Sequence, residues 1–419
     1  MHLRSHRRIS TGADMTIDDG GNHMLPFVYY APTKVVFGPD TASETGKLVK
    51  EQGATKVLIH YGSERVKKSG LVPMIEQQLA EAGIGYVELG GVVPNPHLSK
   101  VYEGIELCRK EGVDFILSVG GGSVIDSAKA IGYGLADETA GDVWDFYDFK
   151  RQASACTPQG VVLTIAATGS EMSNSSVITK MTEEGGIKRS YNTNLARPRF
   201  AIMDPKLTMT LPEYQTMSGA ADICMHTMER YFNNGGSMEL TYAIAEGLIR
   251  TVMANAHILM SDPTNYDARA EIMWASSLSH NGLTGCGTDG GDWSCHRLEH
   301  ELGGLYDVAH GAGLAAIWGT WARYVYKYNP ARFAKFGTHV LGVEAGADEE
   351  ETALRSIAAM EDFFRSIHMP TNLRELGVNP TDEEYKLLAE GCFKATNGGI
   401  GSILRLTLED MEKIYRLAY

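Results

Sequence analysis

The segment Asp114–Ala130, DFILSVGGGSVIDSAKA, leaves this chain the fewest ways to fold. A short apolar run ends at Val119, three glycines and a serine follow, and Val124–Ala130 continues at helical spacing. That order reads as a buried strand, a tight turn and a helix. Lys56–Gly62 (KVLIHYG), the stretch GYVELGG, Val161–Ala167 and Phe200–Asp204 are further strand candidates, and Leu71, Met74, Ile75 and Leu79 mark an amphipathic helix between two of them. Strands alternating with helices predict a parallel sheet covered by helices, with ligands at the carboxyl ends of its strands.

Past Leu207–Thr216 the texture changes. SGAADICMHTMERYF and MELTYAIAEGLIRTVMANAHILM are long helical patterns, and strand-like runs nearly vanish. At 419 residues the chain exceeds what one core serves, so two domains are expected. The boundary is placed near Leu211–Pro212: an α/β domain over 24–210 and an all-helical domain over 211–419. Residues 1–23 read as a flexible extension, basic but without the apolar core of a signal peptide. The glycine-rich loop Thr284–Asp292 is expected to be irregular.

The net charge of −14 and the lack of a basic patch argue against nucleic acid. No run approaches the roughly 18 apolar residues of a membrane span. Six cysteines without a C-x-x-C pair fit reduced thiols in a cytoplasmic protein rather than a disulfide framework.

Two motifs carry chemistry. Gly120–Gly121–Gly122–Ser123 lets the backbone approach a pyrophosphate at a helix N-terminus, although the same turn serves as a plain β-to-α connection. Ala167–Glu171 (ATGSE) follows another strand in the same way and could close the opposite side of the crevice. In the second half, Asp222 and His226 are four apart on one side of a helix, and His296, His300 and His310 follow within fifteen residues. Five such groups in apolar surroundings are costly to bury unless something satisfies them, and a first-row divalent metal does so. His97, His257, His280, His339 and His368 are read as structural or surface residues. A rival reading takes His296–His300 as H-x-x-E-H, a zinc-protease motif with Glu299 as base. A third takes the chain as a nucleotide-binding protein without activity.

With these motifs in view, the chain resembles the iron-containing, metal-dependent alcohol dehydrogenases over roughly Met24–Tyr419. The resemblance rests on YYAPTKVVFG, Pro94–Asn95–Pro96, GGGSVIDSAKA, ATGSE, DPKLTMTLP, GAADICMHTMERYF and HRLEHELGGLYDVAHGAGLA. KVLIHYGSERVKKSG, ARAEIMWASSLSHNGL and GDWSCHRLEH are most similar to its butanol dehydrogenase branch. The resemblance implies a Rossmann-like domain followed by an all-helical domain, in a dehydroquinate synthase-like architecture, with the site in the cleft between them. It assigns one divalent metal, iron by family with zinc as the alternative, to Asp222, His226, His296 and His310. His300 then lines the site near the nicotinamide and is the candidate proton relay, with Asp126 beside the reacting groups.

The implied cofactor contacts are Asn95, Gly121, Gly122, Ser123, Asp126, Thr164, Thr168, Ser173, Val177, Lys188 and Leu211. Where NAD-preferring members carry an aspartate after the first strand, this chain has Gly62 and Ser63. Ser63, Arg65 or Lys67 could contact a 2′-phosphate, and Glu64 counts against it; the reading favours NADP(H) over NAD(H). The implied reaction interconverts short-to-medium primary alcohols, butanol-like, and aldehydes in a homodimer.

Overall fold

The computed structural model describes residues 23–139 and 141–419. Of the extension expected over 1–23, all but His23 lies outside them.

Eight strands form in the first half. They are β1 (Lys34–Phe37), β2 (Lys56–Tyr61), β3 (Gly85–Leu89), β4 (Phe115–Gly120), β5 (Gln159–Leu163), β6 (Ser175–Thr182), β7 (Gly185–Asn192) and β8 (Phe200–Met203). Six of them make one parallel sheet in the order β1-β8-β5-β4-β2-β3. Successive side chains of a strand face opposite ways, and here both faces are covered. Leu58 and Ile116 join one apolar cluster, while Val57, Ile59, Phe115, Leu117 and Val119 join another. This is why the strands read as near-continuous apolar runs. The chain moves outward from β2 to β3 at the edge and then returns to β4 on the other side of β2. Ligands bind at such a reversal. Gly62 and the three-glycine turn leave the carboxyl ends of these two neighbouring strands.

Strand β1 and the antiparallel hairpin β6–β7 had not been expected from periodicity. The hairpin is built from Ser, Thr, Lys and Arg, and too few of its residues are buried to leave an alternating apolar signal. It packs β6 on helix Gly122–Ala136 and β7 on helix Ser294–Tyr306, so it joins the two halves.

Among the described residues no strand follows Met203. The first long helix beyond it, Glu213–Tyr231, is buried at every position from Thr216 to Tyr231. A helix buried all round must find partners for each polar side chain it carries. Helices Glu239–Ser261, Tyr266–His280 and His310–Val325 pack against it, and Glu349–Ser366 packs in turn on His310–Val325, in one large apolar core. The loop Thr284–Asp292 is irregular apart from the short turn Leu283–Gly285. All six cysteines are free, and among the described residues no helix is long and apolar enough to cross a membrane.

Candidate active site

Two adjoining cavities meet over the glycine turn. The larger, about 910 Å³, is lined by Gly62, Ser63, Asn95, Gly121, Gly122, Ser123, Thr164, Thr168 and Leu211, and it reaches Asp222 and His310. The smaller, about 340 Å³, shares Asn95, Gly122, Ser123, Thr168 and His310 and adds Asp126, Ser173, Val177, Lys188, His226, His296 and His300. Every site residue expected from the sequence therefore lines one cavity or both. Lys67 is the exception among the phosphate candidates. Its ammonium pairs with Glu88 at 2.8 Å, whereas Arg65 does line the larger cavity.

The glycine wall is bare because nothing else fits. A Cβ on Gly121 would lie 2.8 Å from the Ile165 side chain, and one on Gly122 would collide with Thr168. Helix Gly122–Ala136 starts directly at this turn, two residues earlier than periodicity placed it, and presents its N-terminus to the cavity. An anionic pyrophosphate fits this bare backbone.

Asp126 lies one turn further on. Its carboxylate accepts from Ser170 Oγ at 2.6 Å and from the Val177 backbone N–H at 2.9 Å. Burial raises its pKa against the opposing charge of Lys129. Both oxygens are engaged, so Asp126 ties the ATGSE turn to the start of β6.

The opposite wall is a cluster of imidazoles around one carboxylate. Asp222 Oδ1 lies 3.0 Å from His226 Nδ1, 3.7 Å from His310 Nε2 and 3.9 Å from His296 Nε2. Asp222 is 2% exposed and His296 5%. Even so, Asp222 Oδ1 and His296 Nε2 have no hydrogen-bond partner. Unpartnered buried atoms of this kind are costly unless a ligand completes them. Burial opposes ionisation of Asp222, but the neighbouring His226 and His310 outweigh it and hold the carboxylate below its ordinary range. Burial and the adjacent imidazoles keep His296 neutral, with its pKa well below the usual value.

Two buried glutamates orient the ring nitrogens. His296 Nδ1 and the His296 backbone N–H both donate to Glu229 Oε1, at 2.9 and 2.8 Å. His310 Nδ1 donates to Glu299 Oε2, which also receives Lys188 Nζ at 3.2 Å. With the proton held on Nδ1, each ring turns its Nε2 lone pair toward Asp222. This is how metal-binding imidazoles are commonly set. One carboxylate ringed by three imidazoles, with Asp222 Oδ1 and His296 Nε2 left without partners, fits a divalent first-row cation.

The protease reading fails on the same contacts. Glu299 is fully buried against His310 and Lys188, so it has no access to a water molecule. His300, on the same helix, lines the cavity with its ring centroid 5.9 Å from that of His310. Burial and Lys188 hold its pKa well below the ordinary histidine range, so it is neutral at pH 7 rather than poised near its titration point.

Sequence reasoning missed three neighbours. Glu229 lies three residues beyond His226 on the same buried helix, and that spacing was the available signal. His280, read as structural or surface, instead lines the smaller cavity with its ring 4.0 Å from that of His226. Trp293 lies against both rings, under the guanidinium of Arg230. Neither His280 nor Trp293 has a sequence spacing that would have found it.

Comparison with known proteins agrees with this geometry. Residues 32–205 match the iron-containing alcohol dehydrogenase family, and residues 216–419 match the C-terminal part of the Fe-containing alcohol dehydrogenase family. The chain is 38% identical over 397 residues to the NADH-dependent butanol dehydrogenase A of Clostridium acetobutylicum, covering 94% of this chain and 100% of that protein. It is 31% identical over 357 residues to the NADPH-dependent aldehyde reductase YqhD of Escherichia coli, covering 85% and 90%. The crystal structure of the NADH-dependent butanol dehydrogenase A of Thermotoga maritima superposes with a TM-score of 0.90 at 40% identity, covering 95% of this chain and 99% of that one. With both halves matched in order around one metal-shaped cluster and one nucleotide-shaped cavity, the chain belongs to the iron-containing alcohol dehydrogenase family.

Proposed function

We propose that this protein reduces short-to-medium aldehydes to primary alcohols, and runs the reverse reaction, with one divalent cation and a nicotinamide dinucleotide. The observation that carries this reading is the unpartnered, buried Asp222 Oδ1 with three imidazoles around it, at the end of a cavity lined by bare glycine backbone.

Asp222, His226, His296 and His310 would hold the cation, iron by family and zinc as the alternative. When bound, the cation supplies Lewis acidity toward the substrate oxygen. The nicotinamide supplies or takes the hydride. Gly121, Gly122 and Ser123 bind the pyrophosphate, and Asn95, Thr164, Thr168, Ser173, Val177, Lys188 and Leu211 orient the rest of the cofactor, so two reactants are held together before any bond changes. Asp126 keeps the nicotinamide wall in place through Ser170 and Val177. Neutral His300, whose Nδ1 has no partner among the described residues, would pass the alcohol's proton on rather than store it, since its burial disfavours the charged ring.

For the cofactor we favour NADP(H). No carboxylate follows β2 directly, Gly62 and Ser63 leave room for a 2′-phosphate, and Arg65 lines that end of the cavity. The printed names of the relatives pull both ways, NADH for the butanol dehydrogenases and NADPH for the aldehyde reductase. A cytoplasmic homodimer completes the reading. It is supported by the exposed apolar run Phe27–Tyr30, in which Val28 is 93% exposed, and sedimentation tests it.

The deciding experiment strips the metal with a chelator, restores Fe²⁺, Zn²⁺, Mn²⁺ or Ni²⁺ in turn, and follows NADPH and NADH oxidation with butanal in parallel. Activity should vanish on stripping and return with metal, and NADPH should give the higher kcat/KM. Full activity in metal-free protein would falsify the mechanism, and a clear NADH preference would reverse the cofactor assignment.

A further inference from the structure

Lys129 is a buried cation that the reading above leaves unused. It lies on helix Gly122–Ala136 one turn beyond Asp126, is 0% exposed, and lines neither cavity. Its hydrogen bonds all go to uncharged oxygens. Nζ donates to the carbonyls of Ser170, Ser173 and Ser175 at 2.8, 3.1 and 2.7 Å, and lies 2.8 and 3.3 Å from the hydroxyl oxygens of Ser170 and Ser173. Residues 170–174 belong to no helix or strand, so their carbonyls need partners from elsewhere. An ammonium is costly to bury, and an apolar side chain would fill the same space at lower cost. What only the ammonium does here is draw one stretch of chain around itself.

That stretch is cavity wall. Ser170, Ser173, Ser175 and Val177 line the smaller cavity together with the imidazoles. Ser170 Oγ donates onward to Asp126, which also holds the Val177 N–H, so Lys129, Ser170, Asp126 and β6 form one chain. The ATGSE turn before it has anchors of its own. The Gly169 N–H donates to Ser276 Oγ at 3.2 Å, and Glu171 accepts from Ser277. Loss of the ammonium would therefore loosen Ser173–Ser175 and leave the glycine turn in place.

Building on the nicotinamide reading above, we propose that Lys129 is a positioning residue, whose ammonium gathers Ser170–Ser175 into the wall against which the nicotinamide ring lies, without touching the cofactor. Its charge is within reach of mild alkali. Burial lowers the Lys129 pKa to about 8, with Arg197 adding to the shift and Asp126, Glu171 and Cys156 opposing it. Cys156 is itself pushed up to about 12 by burial, and His280 on the neighbouring helix stays neutral. A neutral amine has two protons for five oxygens, so the wall should slacken as pH rises through about 8.

The test is calorimetry on the metal-loaded full-length protein between pH 7 and 9.5. The ligands are the reduced dinucleotide, NADPH or NADH as the protein prefers, and the matching fragment without nicotinamide, 2′-phospho-ADP-ribose or ADP-ribose. In the wild type, Kd for the dinucleotide should rise about tenfold across this range, the size of one charge-assisted hydrogen bond, while Kd for the fragment holds. Lys129→Met should bind the dinucleotide about tenfold more weakly at pH 7, lose nothing further as pH rises, and bind the fragment as the wild type does. A general loosening of the fold would weaken both ligands together. Should Lys129→Met not fold, the wild-type titration decides alone. Its midpoint should be the same with zinc and with manganese loaded, because a midpoint that follows the metal belongs to metal-bound water. A flat wild-type profile, a midpoint that moves with the metal, or a fragment weakened as much as the dinucleotide overturns the inference and leaves the dehydrogenase reading standing. If the wild type binds no dinucleotide at pH 7, both fall together.

Discussion

The two walls of the cleft meet the same guests by opposite means. The wall from the first half works by removing side chains: at Gly121 and Gly122 there is no room for a Cβ, and bare backbone is left to face a ligand. The wall from the second half packs side chains in, and two of its imidazoles, His296 and His310, are steered by buried glutamates. The first is a matter of steric exclusion, so its failures should be local. The second is a network, so its failures should spread from one member to the next.

The sharpest way to break this contrast is to neutralise a steering carboxylate without changing its shape. Glu299→Gln removes the charge that holds His310 Nδ1–H and Lys188; burial pushes Glu229 up to about 8, so Glu229→Gln at His296 mainly replaces one neutral hydrogen-bonding group by another. Glu299→Gln should lower metal affinity by about 10- to 100-fold, the usual effect of losing an outer partner of a ligating histidine, and Glu229→Gln by less. Metal retained against a chelator series, read by elemental analysis, checks it. Saturating metal should restore much of the turnover in both variants. Were Glu299→Gln to abolish turnover with metal fully bound, Glu299 would be acting on the substrate directly and its steering role would be wrong.

On the glycine wall the expected loss is smaller and confined to the cofactor. Gly122→Ala adds one methyl group against Thr168, an overpacking worth about 1–3 kcal/mol. It should raise KM for the dinucleotide about tenfold while leaving metal content untouched. Because the obstacle is a single side chain, adding Thr168→Ala, which removes both the hydroxyl and the methyl group that crowd the new Cβ, should recover part of the loss. A Gly122→Ala enzyme that also sheds its metal would mean the two walls are not independent.

The same contrast explains what could be read from the sequence. The glycine wall announces itself in Val119–Ser123, because a buried strand running straight into three glycines is a local pattern. The proposed metal ligands were partly legible, since Asp222 and His226 share a helix face. Preferring His296 and His310 to His300 as ligands rests on the family resemblance, because the H-x-x-E-H spacing by itself pairs His296 with His300. His280 and Trp293 reach the site from separate segments and carry no spacing signal. Hairpin β6–β7 was invisible for a different reason. Its strands are stabilised by packing between the two halves rather than by an apolar face of their own.

The mildest probe is pH. Burial holds His280, His296 and His300 well below the ordinary histidine range, so all three are neutral in the folded, metal-free protein at pH 7. In the unfolded chain each takes up a proton as pH falls through about 6.5. The unfolded state then binds more protons than the folded one, so stability is fully present above pH 6.5 and is lost as the solution becomes more acidic. Urea midpoints of metal-free protein should drop between pH 7.5 and 5.5, by at most about 1.4 kcal/mol per pH unit for each imidazole. His60, buried in β2 with its pKa lowered to about 4, adds to the same trend and lies away from the metal cluster. The metal separates the two contributions. A cation on the cluster needs neutral imidazoles, so loaded protein should release it over the same acidic window, with the site histidines titrating at lower pH when metal is bound. A metal-free protein whose stability is flat from pH 7.5 to 5.5 would mean that the cluster already takes up protons when folded. The unpartnered nitrogens would then be ordinary protonated imidazoles around Asp222, and the second wall would not be a network waiting for a cation.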